Sequence, residues 1–327
     1  MVHDHSAEAD TSRTRRGGAR HPDAGASDPV LPRSLVALFA LTCGSAVANV
    51  YFAQPLLVTM GHDLGMTPSL VGGVVTLTQI GYGAGLLLLV PLGDVIARGR
   101  LVPAQLLLLV GALLAVATAR TAPVLLAGMA AVGLLAVVTQ TLVAFAASLA
   151  GPARRGQVVG VVTSGVVIGI LLARTAAGLM ADLAGWRAVY LASALLTLLL
   201  ALILHRALPR SAAAPASLRY GRLLRSTVTL FTTERLLRIR ALLGMLIFAA
   251  FSALWSSVAL PLSEPPYRLS HTAIGAFGLL GAVGAVAAQA AGRLNDRGLS
   301  RRTSGIGLAL LVTSWVPLAF TRSSLWA

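Results

Sequence analysis

The 327-residue sequence contains no lysine and a single cysteine, Cys43. Only 11% of its residues are charged and 5% aromatic, where an ordinary soluble domain carries about 25% charged residues. One cysteine excludes an intrachain disulfide and any cysteine-based metal site. So little charge, set against 56% hydrophobic residues and a mean hydropathy of +0.81, excludes a disordered chain and argues against a soluble one. No His, Asp or Glu falls in the interior of a long apolar run; His205 and His271 sit at run ends. An intramembrane enzyme is therefore left without a nucleophile–base set or metal ligands. The opening MVHDHSAEADTSRTRR mixes both charge signs and lacks an apolar core, so it is not a cleaved signal peptide. Residues 1–32 read as a disordered cytoplasmic tail, with His3 and His5 solvated. No metal and no cofactor is expected.

What is present is a series of apolar runs. A helix needs about 20 apolar residues to cross the hydrocarbon core. Nine segments qualify: 33–54, 68–92, 101–119, 122–150, 157–182, 187–205, 240–261, 271–293 and 303–321. The expected fold class is an all-α integral membrane bundle. It divides into a six-helix bundle at 33–205, a basic cytoplasmic linker at 206–239, and three helices within 240–327. Within the linker, Tyr220 to Arg240 has the pattern of an amphipathic helix suited to an anionic inner leaflet.

All 26 basic residues are arginine, giving a net charge of +15. In a soluble protein this balance would suggest nucleic acid; here the arginines cluster in short segments between runs. With the N-terminus in the cytoplasm, 21 arginines fall inside. Four fall outside (Arg120, Arg187, Arg268 and Arg322), and Arg174 lies within the fifth run. The positive-inside rule thus predicts a multi-pass inner-membrane protein with a cytoplasmic N-terminus and no nucleic-acid partner.

The runs differ in polarity. The third and sixth are almost featureless and are expected to face lipid. The first, second, fourth, fifth and seventh carry polar groups, which either line a wet pathway or hydrogen-bond between helices. The candidates are Asn49, Tyr51 and Gln54; Thr78, Gln79 and Tyr82; Thr139 and Gln140; and Ser252, Trp255 and Ser256. Asn49 and Gln140 are the first choices for the pathway. Neutral hydrogen-bonding and aromatic groups of this kind suit an uncharged or amphipathic small molecule. Arg174 costs about 2.5–3.5 kcal/mol to insert. That cost favours a cavity with a counter-charge or anionic substrate, or else pairing with Asp182 or outward snorkelling. Gly165 and Gly169 form a GxxxG pair that lets a neighbouring helix approach closely.

A weak internal repeat also exists. A shift of 202 residues superimposes Gly73 on Gly275, Asp94 on Asp296 and Arg100 on Arg302. In each copy an apolar helix ends in an acidic residue followed by arginines. Half-length repeats are common in secondary transporters.

The segments GYGAGLLLLVPLGDVIARGRLV and AAGRLNDRGLSRR carry a specific resemblance. They resemble the loop motifs of the major facilitator superfamily, between its second and third helices and between its eighth and ninth. Asp94, Arg98 and Arg100 fit the first copy, which departs at Val90 and Ala97. Gly292, Asp296, Arg297 and Arg301 belong to the second. ANVYFAQPLL, the fifth-run segment RGQVVGVVTSGVVIGILLARTAAGLMADLAGWRAVY and FSALWSSVALPLSEPPYRLS look like the multidrug and sugar efflux-type permeases. The resemblance implies a secondary transporter that exports a drug-like or sugar-like small molecule by alternating access. It also implies a cytoplasmic gate whose charges exchange partners between states. The superfamily fold has twelve helices, so nine present implies a C-terminally truncated chain, and a transport-incompetent remnant is the alternative reading. Many relatives couple to protons through an embedded carboxylate. All eleven acidic residues here lie in the tail, in loops or at helix ends. Proton coupling is then expected through a loop carboxylate, through the missing helices, or by another route.

Overall fold

In a computed structural model, residues 32–151, 154–208, 220–257, 262, 268–276 and 300–318 are described, and the described residues are helical with short turns. Seven helical segments among them are long and apolar enough to cross a membrane. They are span 1 (Arg33–Asp63), span 2 (Pro68–Asp94), span 3 (Arg98–Ala117), span 4 (Ala122–Leu149), span 5 (Arg155–Ala184), span 6 (Trp186–Ala207) and span 7 (Arg235–Leu254). The eighth expected run lies mostly outside the described residues; His271–Ala276 is its described helical start. The ninth coincides with helices Ser300–Thr313 and Trp315–Leu318.

Local chemistry sets the span ends. Pro68 opens span 2 and Pro123 stands in the first turn of span 4, each after a threonine in extended conformation. Proline suits a first turn because its missing N–H would be unpaired there anyway. Spans 5 and 6 are joined by Gly185 alone, at φ 81°. Glycine adopts that left-handed conformation without the Cβ penalty other residues meet. Short connections of this kind force neighbouring spans antiparallel.

The six-span bundle pairs span 1 with span 5, span 2 with the first half of span 4, and span 3 with span 6. Two of these pairs rest on glycine. A Cβ on Gly165 would stand 2.6 Å from the Ala40 carbonyl carbon, and one on Gly169 2.6 Å from the Gly44 Cα. A Cβ on Gly133 would stand 2.9 Å from the Thr78 carbonyl carbon. In lipid, where no hydrophobic force draws helices together, such close backbone approach supplies the van der Waals contact that does. Between the pairs runs one apolar core: Phe39 and Phe145, ring centroids 5.9 Å apart, sit toward one end of it beside Leu142, and Leu109, Met129 and Met60 are fully buried farther along.

Spans 3 and 6 differ from the lipid-facing expectation. Leu106, Leu109 and Leu113 of span 3, and Tyr190, Ala194 and Leu204 of span 6, are buried in the core. Only the opposite faces stay exposed, through Leu107, Leu108, Leu191, Leu195 and Leu199. An almost uniformly apolar helix does not reveal from its sequence which side meets protein. The least buried spans are 2, 5 and 7.

The linker is not simply a loop. It contains an amphipathic helix, Tyr220–Thr233, and the helix carrying span 7 already begins at Arg235.

Candidate functional site

Spans 1, 2, 4, 5 and 7 converge at one polar and aromatic cluster. Arg174 is 2% exposed, deep in span 5. Its Nε donates to Oε1 of Gln54 at 2.8 Å, and its Nη1 reaches the Ile170 carbonyl at 3.5 Å. The guanidinium lies against two rings, 4.9 Å from the centroid of Tyr51 and 5.5 Å from that of Phe251. Those rings meet edge-on at 6.4 Å. Gln54 is held there because the helix of span 1 tightens into a 3-10 turn at Gln54–Leu56, with Pro55 inside it. Asp182 does not take the Arg174 pairing weighed from the sequence. It accepts hydrogen bonds from the Thr272 N–H at 2.9 Å and hydroxyl at 2.7 Å.

The remaining candidates separate into two groups. Gln79 of span 2 donates to the Ser252 hydroxyl of span 7 at 3.5 Å. Gln140 of span 4 donates to the Tyr82 hydroxyl at 3.5 Å. Tyr82 and Phe251 pack against an apolar group that includes Tyr51, Val47, Ala136 and Ala173. These residues face one another. Asn49 does not join them: it is fully buried between spans 1 and 6. Its Oδ1 accepts from the Ser193 hydroxyl at 2.6 Å, and its Nδ2 donates to the Ser45 carbonyl at 3.0 Å. Asn49 and Tyr51 are two positions apart, about 200° around a helix, so the two must point to opposite sides. Trp255 lies on the helix of span 7, but its side chain is outside the described residues.

At the arginine-rich end, Asp94 pairs with Arg98 at 2.8 Å. Arg98 also donates to the Gly93 carbonyl at 3.1 Å and to the Ala144 carbonyl of span 4 at 3.2 Å. One guanidinium thus ties the 2–3 turn to itself and to the end of span 4. Arg100 is exposed in the first turn of span 3. Gly292, Asp296 and Arg297 lie outside the described residues. Arg301 is on helix Ser300–Thr313, its side chain likewise outside them.

Sequence reasoning missed three partners. Phe251, one turn before Trp255, was lost among apolar neighbours. Ser193 gave no signal in a run read as featureless. At the opposite end, Asp63 accepts hydrogen bonds from Trp186 Nε1 at 3.0 Å and from Arg187, whose other nitrogen donates to the Ala119 carbonyl. That knot joins the ends of spans 1, 3 and 6. A separate apolar cleft of about 510 Å³ lies between spans 1, 5 and 6, with Ser45 and Ser193 its only polar lining residues.

Residues 37–327 match the family model of the Major Facilitator Superfamily. The chain belongs to that superfamily. It is therefore a multi-pass membrane transporter of the major facilitator type. It is 46% identical over 297 residues to the uncharacterized transporter YgaY of Escherichia coli O157:H7, covering 91% of this chain and 75% of that one. A Streptomyces coelicolor protein also named as a transporter is 35% identical over 281 residues, covering 85% of this chain and 65% of its own length. Among solved structures, a bacterial homologue of the human lysosomal transporter Spinster, inward-facing and occupied, superposes with a TM-score of 0.61. It is 14% identical, with 80% of this chain and 61% of that one covered. That likeness is one of fold.

Proposed function

We propose that this superfamily member exports a small organic molecule, drug-like or sugar-like, by alternating access, using the cluster around Arg174 as its substrate pathway. The observation that supports this best is a buried guanidinium held by a glutamine and two aromatic rings where five spans meet. Such a group is expensive in lipid, and functional use is the usual reason it is retained. Its aromatic walls and the amides of Gln54, Gln79 and Gln140 fit an amphipathic molecule with a flat apolar body and polar or anionic groups. Tyr51, Tyr82 and Trp255 complete the proposed pathway; Asn49 is assigned to helix packing instead.

The gate in this reading is the 2–3 turn, where Asp94 and Arg98 can exchange partners as the bundles rock, with Arg100 and the second motif (Gly292, Asp296, Arg297, Arg301) acting alike. In this reading the N-terminus is cytoplasmic and the protein sits in the inner membrane, which the arginine distribution supports. Protons are the coupling ion to test first.

The test is transport by proteoliposomes holding the purified chain, with a panel of labelled sugars and amphipathic aromatic compounds, neutral and anionic. We expect saturable flux for at least one compound, and at least about tenfold less for Arg174→Met, the size of one lost charged contact. Equal flux by the variant removes Arg174 from the pathway. Flux unchanged by collapsing the pH gradient removes the proton. A chain that inserts and moves nothing returns the transport-incompetent reading.

A further inference from the structure

We propose that the linker helix Tyr220–Thr233 is a docking surface for an anionic phospholipid leaflet, held in place against the 2–3 turn by Tyr220.

The helix has no buried residue. At about 100° per residue, Tyr220, Leu223, Leu224, Val228, Leu230 and Phe231 fall on one arc, together with Thr227, whose hydroxyl is turned back to the Leu223 carbonyl. Arg222, Arg225, Ser226, Thr229, Thr232 and Thr233 occupy the other. Val228, Leu230 and Phe231 are half or more exposed. A largely apolar stripe left open on a membrane protein, with arginines on the opposite arc, is the pattern of a helix lying in the interface. Arg235, Arg238 and Arg240 follow directly, and Glu234 is the only acid between Tyr220 and Arg240. The charge complements phosphatidylglycerol-type headgroups.

The position of the helix supports the same occupant. The Tyr220 hydroxyl donates to the Leu88 carbonyl at 2.7 Å, and the helix touches the Pro91–Asp94 turn. That turn ends span 2, so the helix starts at the level where the chain leaves the membrane. It cannot simply prolong span 7. Gln79 meets Ser252, and Leu88 lies nine residues from Gln79, about 14 Å along span 2. A straight helix from Tyr220 to Ser252 would be about 48 Å long. Both contacts are met only if the chain turns sharply, and the helix is interrupted at Glu234. The helix therefore starts beside the bundle end instead of projecting away from it along the axis of span 7. With the orientation proposed above, the surface it meets is the inner leaflet; the docking itself does not depend on transport.

The test uses the full chain with Cys43→Ala, labelled with bimane at Phe231→Cys on the apolar arc or at Thr229→Cys on the polar one. Each is placed in nanodiscs of phosphatidylcholine alone or with phosphatidylglycerol, containing a lipid spin-labelled near the headgroup. We expect roughly twofold or greater quenching of the Phe231 label over the Thr229 label in anionic discs. Arg222→Gln with Arg225→Gln should return the Phe231 signal toward its value in phosphatidylcholine, whereas Lys at both positions should keep it. Equal quenching at the two sites overturns the proposal. So does a blue-shifted but unquenched Phe231 label, which would mean that protein, from this chain or a second copy, covers the stripe. Loss of the signal in the lysine pair, or no dependence on anionic lipid, overturns the electrostatic part.

Discussion

Arg174 and Asn49 are both polar, both buried and both past the midpoint of their spans, yet their surroundings differ. Inserting the arginine costs about 2.5–3.5 kcal/mol. Contact with the Tyr51 and Phe251 rings returns up to about 2 kcal/mol when the site is dry, and the bond to Gln54 about 1.5–3 kcal/mol. These terms nearly cancel, so the folded chain gains little from keeping the charge. Replacing both partners, Arg174→Met with Gln54→Leu, should change stability by less than about 1 kcal/mol, since apolar replacement of a whole buried polar pair is often neutral, whereas Arg174→Met alone also strands the buried Gln54 oxygen. A thermal scan in detergent checks this; a fall in melting temperature of the double variant beyond a few degrees would make the pair structural. Asn49→Ala should do the reverse. It strands the Ser193 hydroxyl and frees the Ser45 carbonyl, costing about 1–2 kcal/mol, while substrate affinity stays the same. Arg174 was legible in the sequence because a charge inside an apolar run has few explanations. Asn49 was legible as an embedded amide but not as to its use, because residue type does not say which neighbour a helix face meets. The same limit hid Phe251 and Ser193.

The 2–3 turn carries a further contrast. Asp94 is about half exposed, and an ion pair of that kind is worth about 0–1 kcal/mol. Asp94→Asn should therefore leave insertion and melting temperature nearly unchanged and slow transport. Arg98→Ala removes two carbonyl bonds as well, one of them to span 4. It should slow transport and also loosen the turn, which proteolysis of the purified chain would reveal. Equal transport rates for parent and Asp94→Asn would leave the pair a marker of the membrane boundary.

At the scale of elements, the six apolar runs of the bundle were readable and five have ends close to those expected, but span 1 runs on past residue 54 through a 3-10 turn to Asp63, and the facing of the spans was not readable. In a soluble protein a buried face is apolar and a wet face polar, so periodicity reports orientation. In lipid both faces are apolar, and that signal vanishes. Spans 3 and 6 show the consequence, since each buries one side of a helix that is leucine-rich on both. Glycine spacing is what remains legible. Gly165 and Gly169 announced a close neighbour, and span 1 is that neighbour. Gly169→Ala would drive a methyl into the Gly44 backbone and part the two helices. A methyl on Gly160 would meet nothing within 4 Å, so Gly160→Ala should be neutral or stabilise by up to about 1 kcal/mol through helix propensity. Melting temperatures should fall for Gly169→Ala and hold or rise for Gly160→Ala. A Gly169→Ala chain as stable as the parent would show that spans 1 and 5 are not in register as described.

Across the whole molecule, charge asymmetry and polar knots agree on two distinct ends. One end holds Asp94, Arg98, Arg154, Arg155 and the linker helix; the other holds the Asp63–Trp186–Arg187 knot. The positive-inside rule acts during insertion, when short arginine-rich loops resist translocation. In the orientation proposed above the first end is cytoplasmic, and an error of one span would put arginines on both sides. Cys43 is the only cysteine and is buried, so a Cys43→Ala chain is a clean background for site labelling. Ser69 and Ser226 are both exposed, at opposite ends. In intact cells an impermeant maleimide should label Ser69→Cys and spare Ser226→Cys until the membrane is opened. Labelling of Ser226→Cys alone would invert the molecule and place the linker helix on the outer leaflet. Labelling of both sites in intact cells would mean that an even number of crossings separates them, so that one of the apolar helices between Ser69 and Ser226 does not cross the bilayer.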